Sequence, residues 1–151
     1  MKVVFDTDLL STFARVDGLR ILNLLFEKIL VPQSVISEMK LANLKLSELN
    51  YESPKLSREE LLTLRTIDAR LGRGERECLS IAKHRKLPLA SNDGLVHYVC
   101  KQQNVSYFTL PRLLRFAISR KAIEREKARE LVALIERNER TTIKNQFEIF
   151  K

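Results

Sequence analysis

Apolar residues fall along this chain in two rhythms. Short, largely apolar runs at residues 2–5, 29–31, 87–90 and 105–109 are too brief for helices and read as buried strands. Between them, apolar positions recur every three or four residues. They predict helices around 9–16 and 19–27 (on Leu22, Leu25 and Phe26), over 33–41 (on Val35, Ile36 and Met39), from Glu75 to about Arg85 (on Cys78, Leu79 and Ala82) and over 93–102. Pro32 stands just ahead of the 33–41 helix, where its fixed φ suits a helix start. Ser57 followed by Glu60 forms a capping box. It opens a helix whose stripe is Leu61, Leu64, Ile67 or Asp68, and Leu71, and Gly72-Arg73-Gly74 is expected to end it. Residues 43–54 read as a loop. Helices near 111–119 and 124–138 and a short tail at 143–150 finish the chain.

Helices alternating with short apolar strands argue for a mostly parallel sheet covered on both faces. The expected fold is therefore a three-layer α/β/α domain spanning residues 1–151, with a core over about 1–110 and a helical C-terminal extension over about 111–151. With 44% apolar and 30% charged residues, the composition is that of a globular chain. Cys78 and Cys100 sit inside apolar helical patterns, so both read as core thiols in a reducing, cytoplasmic setting. No apolar run approaches the roughly 18 residues of a membrane span, so no membrane partner is expected. The net charge of +8 suits a polyanionic partner, because each neutralised phosphate releases condensed counterions.

In such a sheet the carboxyl ends of strands and the amino ends of helices share one edge, where ligands bind. Four acids are expected there. Asp6 ends the first strand, Glu38 lies two turns into the helix after Pro32, Glu75 begins the helix after Gly74, and Asp93 follows the strand at 87–90. Taken singly, each also suits a helix start, where a carboxylate complements the helix dipole by about 0.3–1 kcal/mol. Taken together, that plainer reading weakens: two carboxylates about 5 Å apart repel by roughly 3 kcal/mol at an effective dielectric near 20. Such a cluster needs a cation, and oxygen ligands without His or Cys select a hard ion such as Mg²⁺ or Mn²⁺. A basic surface around a metal-holding notch points to hydrolysis of a phosphodiester.

These residues resemble those of the PIN-domain ribonucleases found as toxin subunits of toxin-antitoxin pairs, over roughly residues 3–110. The resemblance rests on VVFDTDLLS at the start, VPQSVISEM with Glu38, GERECLSIAKHRKLPLASND from Gly74 to Asp93, and the strand that follows. It implies an Mg²⁺- or Mn²⁺-dependent endoribonuclease with Asp6, Glu38, Glu75 and Asp93 as its acidic metal-binding and catalytic set. Asp8, Ser11 and Asn92 are neighbouring polar positions, and Glu77 competes with Glu75 for the third place. It also implies an RNA substrate, a small antitoxin partner and a homodimer. The chain departs from the family pattern in having Gly94-Leu95-Val96 where a second Asp and a Phe commonly follow the fourth acid.

Arg73, Arg76 and Lys83, with Arg85 and Lys86, are placed near the acidic edge, either guiding a phosphate backbone or forming a solvated helix face. His84 and His97 read as surface or packing residues, and the helices beyond Pro111 as packing elements without a part in the chemistry. Two alternatives stand beside the nuclease. Asp6-Thr7-Asp8 resembles the opening of haloacid-dehalogenase-like phosphatases, whose pattern has Thr or Val where this chain has Leu10, and a scaffold with an impaired site would be a non-catalytic nucleic-acid- or protein-binding module.

Overall fold

The computed structural model describes all 151 residues. Its elements follow one another as β1 (Lys2–Phe5), α1 (Thr7–Arg15), α2 (Leu19–Leu25), β2 (Lys28–Leu30), α3 (Gln33–Leu41), β3 (Tyr51–Glu52), α4 (Arg58–Thr63), α5 (Arg73–Arg85), β4 (Leu89–Ala90), α6 (Gly94–Gln103), β5 (Tyr107–Phe108), α7 (Leu110–Ser119) and α8 (Arg125–Glu139). The strands lie in the order β3-β2-β1-β4-β5, and every neighbouring pair is parallel. Helices cover both faces in a three-layer α/β/α arrangement, as the alternating pattern predicts. β1 is central, so Val3, Val4 and Phe5 are buried on both faces, which is why its apolar run is unbroken.

Strand order reverses between β1 and β4, the position at which parallel sheets open a crevice beyond their carboxyl ends. The registers Val4 opposite Leu30 and Phe5 opposite Ala90 bring the chain out of β1, β2 and β4 at one level. Asp6, Val31 and Ser91 are the first residues beyond the sheet.

Three local expectations are corrected. Residues 43–54 are not all loop: Tyr51 and Glu52 form the edge strand β3, tied to β2 by the Val31 N–H donating to the Glu52 carbonyl at 2.9 Å. Both side chains are exposed, so no apolar period announces the strand. The helix opened by Ser57 stops at Thr63 and passes into a 3-10 turn, Leu64–Thr66, instead of running to Leu71. Leu61 and Leu62 are exposed, while Glu60, Leu64, Ile67 and Leu71 face inward. Gly72-Arg73-Gly74 opens α5 instead of closing the helix before it. The reason lies across the groove: a Cβ on Gly74 would stand 2.5 Å from Glu38 Oε1 and 3.3 Å from Val35 Cγ2. Glycine there lets α3 and the first turn of α5 meet, a tertiary demand with no trace in local propensity.

One hydrophobic cluster of 41 residues runs from Val3 to Ile149, so α7, α8 and the tail pack on the same core as the sheet. Cys78 and Cys100 are buried and unpaired in it, and burial pushes the Cys100 thiol up to about 12. No helix is long and apolar enough to cross a membrane.

Candidate active site

Asp6 begins beyond β1 with extended backbone and caps α1, its Oδ1 accepting the Leu9 N–H at 3.1 Å. It is only 1% exposed, and its second oxygen, Oδ2, is buried without a hydrogen-bond partner. Burial therefore dominates its titration and pushes the carboxyl up from 3.8 to about 7. The Ser91 hydroxyl and the Leu9 N–H oppose that rise, while Asp8 and Glu75 add like-charge repulsion.

Asp93 has the same design one strand over: it caps α6, with Oδ1 accepting the Val96 N–H at 3.0 Å. Glu75 lies in the first turn of α5 and folds back to accept the Gly72 N–H at 2.9 Å. Burial raises its carboxyl, the Gly72 bond lowers it, and Asp93, Glu38 and Asp8 raise it further. Asp8 is likewise raised, by burial first and then by Glu139 and Asp93. Glu38 reaches from α3 over Gly74. The acids of the four elements thus feel one another across one edge, as the strand ends require.

Capping and clustering are not rival explanations for these residues. Three of the four acids cap helices, and they cluster because the helix starts that they cap share one edge. No three Asp, Glu, His or Cys side chains stand close enough to bind one ion together. The donor set still fits a hard divalent cation, because such an ion takes only one or two carboxylates and fills its shell with waters and substrate phosphate. Asp6 Oδ2, a carboxyl oxygen buried without a hydrogen-bond partner, is the atom best placed to gain from such a charge.

Other expected positions separate. Glu77 is 7% exposed, and its charge is spent on Arg73 Nε at 3.1 Å and the Ser34 hydroxyl, so Glu75 and not Glu77 belongs to the acidic edge. Ser11 turns away from the edge and donates to Met39 Sδ at 3.4 Å inside the core. Asn92 Oδ1 accepts the Leu110 N–H at 3.2 Å and so ties the start of α7 to the site.

Arg73 and Arg76 flank Glu75 in sequence, and with Arg65, Leu61 and Leu64 they line a small cleft. The Arg76 Nε is buried without a partner. Lys83 does not join them. Eight residues along α5 carry it about 12 Å away, to the amino-end edge of the sheet, where it donates to Gln103 Oε1 at 2.7 Å near Met1 and Pro88. Arg85 is also elsewhere, paired with Glu60.

The C-terminal extension contributes more than packing. Glu139, the last residue of α8, accepts the Thr12 hydroxyl at 2.7 Å and repels Asp8. His97, one turn beyond Asp93, bonds through Nε2 to the Ser91 carbonyl at 2.6 Å and stacks on Tyr107. The sequence carries one signal for His97, its four-residue spacing from Asp93, and none for Glu139, which ends an ordinary amphipathic helix.

Comparison with known proteins agrees with this geometry. A family model described as PIN domain matches residues 2–147. Among solved structures, the fold is similar to a PilT N-terminus domain protein from the hyperthermophilic archaeon Sulfolobus solfataricus P2. The TM-score is 0.56 at 16% identity, covering 78% of this chain and 94% of that one. No curated protein matches by sequence. A family match over nearly the whole chain, on a parallel sheet whose switch point carries Asp6 and Asp93, leaves one assignment: the chain belongs to the PIN-domain family, a nuclease-type family that works with divalent metals.

Proposed function

We propose that this protein is an endoribonuclease that uses Mg²⁺ or Mn²⁺ to hydrolyse RNA phosphodiester bonds. The observation that carries the reading is Asp6: a fully buried carboxyl group with one oxygen unpartnered at the switch point of the sheet, repelled by Asp8 and Glu75, which are in turn repelled by Asp93. No cation of the protein pairs with Asp6, and its unpartnered oxygen adds nothing to the fold.

Asp6 and Asp93 would hold the ion at the carboxyl ends of β1 and β4, with Glu38 and Glu75 bordering it. When bound, the ion supplies Lewis acidity and neutralises charge at the reacting phosphate. Burial raises the Asp6 carboxyl to about 7, so a divalent cation at its unpartnered oxygen would favour the charged form. Arg73 and Arg76, one on each side of Glu75 in sequence, orient the phosphate backbone toward the acids and offset their repulsion of a polyanion. Glu139 and Asp8 keep the outer rim acidic.

Purified protein is expected to cut single-stranded RNA with Mg²⁺ or Mn²⁺ and to stop when EDTA is added. Undiminished cutting by Asp6→Asn would overturn the assignment. That no three acids stand close enough to share one ion favours a second reading, a nucleic-acid- or protein-binding module without catalysis. Calorimetric titration decides between them, since the module predicts no Mg²⁺ or Mn²⁺ binding even at millimolar concentration. The dehalogenase-like phosphatase does not survive the family assignment.

The likeness to toxin subunits supports two partners as part of the same proposal, a small antitoxin protein and a second copy of the chain, acting in the cytoplasm. A short reading frame directly upstream whose product co-purifies is the expected sign of the first. Light scattering of the purified chain tests the second.

A further inference from the structure

A cavity of about 480 Å³ opens beside the acidic edge, between the β4–α6 and β5–α7 junctions on one side and the tail after α8 on the other. It lies in the size range of small-ligand sites, roughly 300–1,000 Å³. Its walls are polar, unlike those of an apolar docking groove. We infer that this cavity binds one nucleotide of the RNA strand, next to the phosphodiester at the acids, and thereby sets base preference; the inference rests on the ribonuclease reading above.

Continuity with the site comes first. Asn92, on the cavity wall, precedes Asp93, and Glu139, on the opposite wall, borders Asp8. A strand whose phosphate lies at the acids must place a neighbouring nucleotide on one side of them. This side is hollow, with donors and acceptors around it.

The chemistry of the walls comes second. His97 stacks on Tyr107 with centroids 4.5 Å apart and planes 12° from parallel, and the Arg112 guanidinium stands 5.8 Å over the Tyr107 ring. This is a flat, partly cationic platform of the sort on which single-stranded bases stack. The Ser91 carbonyl can only accept, so His97 Nε2 carries the proton in that bond and Nδ1 is the nitrogen left for a ligand. Lys144 and Arg112 are exposed at the cavity without an acidic partner, which suits a phosphate. Glu139 and Glu148 offer acceptors to ribose hydroxyls or exocyclic amines, and they make the cavity unsuited to a bare anion.

The wall is built to stay in place. The Ile143 N–H and the Gln146 amide both donate to Glu136 Oε2, at 2.9 and 2.7 Å. Ile143 and Ile149 are buried, and the Phe150 ring lies beneath Arg129, with the guanidinium 5.0 Å from its centroid. An extension needed only for core packing has no cause to hold a polar hollow against the acids.

The test uses the full-length chain in EDTA, so that binding is read without cleavage. Anisotropy of a 5′-labelled single-stranded RNA is titrated with wild type, Arg112→Ala and Lys144→Ala, alongside NMR titrations with the four nucleoside 5′-monophosphates and with inorganic phosphate. Each substitution is expected to weaken RNA binding roughly tenfold and to lower the salt slope by about one. The monophosphates are expected to shift the His97 ring and the Asn92 amide resonances, while phosphate alone leaves them in place. Wild-type affinity in both variants, or equal shifts from phosphate alone, would overturn the inference. If the pocket binds monophosphates but no RNA is cut with Mg²⁺ or Mn²⁺, the pocket stands and the nuclease reading falls. If RNA is cut and both variants bind as wild type, the pocket falls alone.

Discussion

Two buried carboxylates show how differently this molecule treats charge. Glu60 is 2% exposed and Asp6 is 1% exposed, and each sits at the start of a helix. Glu60 is compensated: it accepts Arg85 Nε at 2.8 Å, Arg85 Nη2 at 3.0 Å and the Ser57 N–H at 2.8 Å. Burial pushes its carboxyl up, but those bonds outweigh burial and hold it below the ordinary range. Asp6 has only the Leu9 N–H and the Ser91 hydroxyl to set against burial, with no charged partner, and its carboxyl rises to about 7. Burial of an acid is therefore not in itself a sign of function. An acid buried without compensation is one, because the fold bears the cost of keeping it there.

That contrast is broken most directly through catalysis. Asp6→Asn is expected to lower metal-dependent RNA cleavage by about 10²–10⁴-fold, while Lys83→Ala, at the opposite edge, leaves the rate unchanged in the same assay. Equal losses in the two variants would erase the distinction between the edges of the sheet.

Stability against pH gives the next largest effect. The folded-state pKa of Asp6, about 7, lies above its ordinary 3.8, so its stabilising contribution is complete below about pH 4 and is lost as pH rises through 7. Asn keeps the capping oxygen without the charge. In metal-free buffer at pH 8, Asp6→Asn should be more stable than wild type by up to about 4 kcal/mol, at 1.36 kcal/mol per pKa unit. Urea unfolding at pH 4 and pH 8 measures this, and identical pH dependence in the two proteins would show that Asp6 is compensated after all.

Arg85→Ala probes the other side of the contrast. It strands Glu60 and should cost about 2 kcal/mol, less than the roughly 3–5 of a fully buried pair because the Arg85 side chain is 35% exposed. At this chain length that lowers Tm by about 4–8 °C. A melting curve that does not move would mean that water replaces the guanidinium.

The smallest expected change in stability comes from Gly74→Ala. Its new Cβ meets only the far end of Glu38 and Val35 Cγ2, and alanine favours a helix by about 0.8–1 kcal/mol over glycine. The helix gain offsets the cost of shifting those neighbours, so melting should change by little, while cleavage falls roughly tenfold as Glu38 is displaced, a rise of about 1.4 kcal/mol in the barrier. A variant as active as wild type would remove Glu38 from the working set.

Much of the fold was legible because burial leaves a mark on the sequence. Val3, Val4 and Phe5 form an unbroken apolar run because β1 is central, and Val35, Ile36 and Met39 keep the period of α3. Asp6, Glu75 and Asp93 were legible as helix starts for the same local reason, since each bonds a backbone N–H within three residues. β3 was hidden because both its side chains are exposed and only backbone pairing defines it. Gly72-Arg73-Gly74 misled because the need for glycine at position 74 comes from Glu38, on another helix.

By itself, then, the sequence determined which segments are buried, where helices begin, and that acids stand at several of those beginnings, because these are questions of period and of bonds made within one turn. Only the tertiary structure decided which charges are neutralised. Glu77 and Glu75, two residues apart, part company because Arg73 reaches one of them, and Arg85 is drawn to Glu60 and away from the acids. The same holds for Glu139, brought against Thr12 from 127 positions away. Electrostatic compensation depends on distance in space, and that distance is set by packing between elements and not by order along the chain.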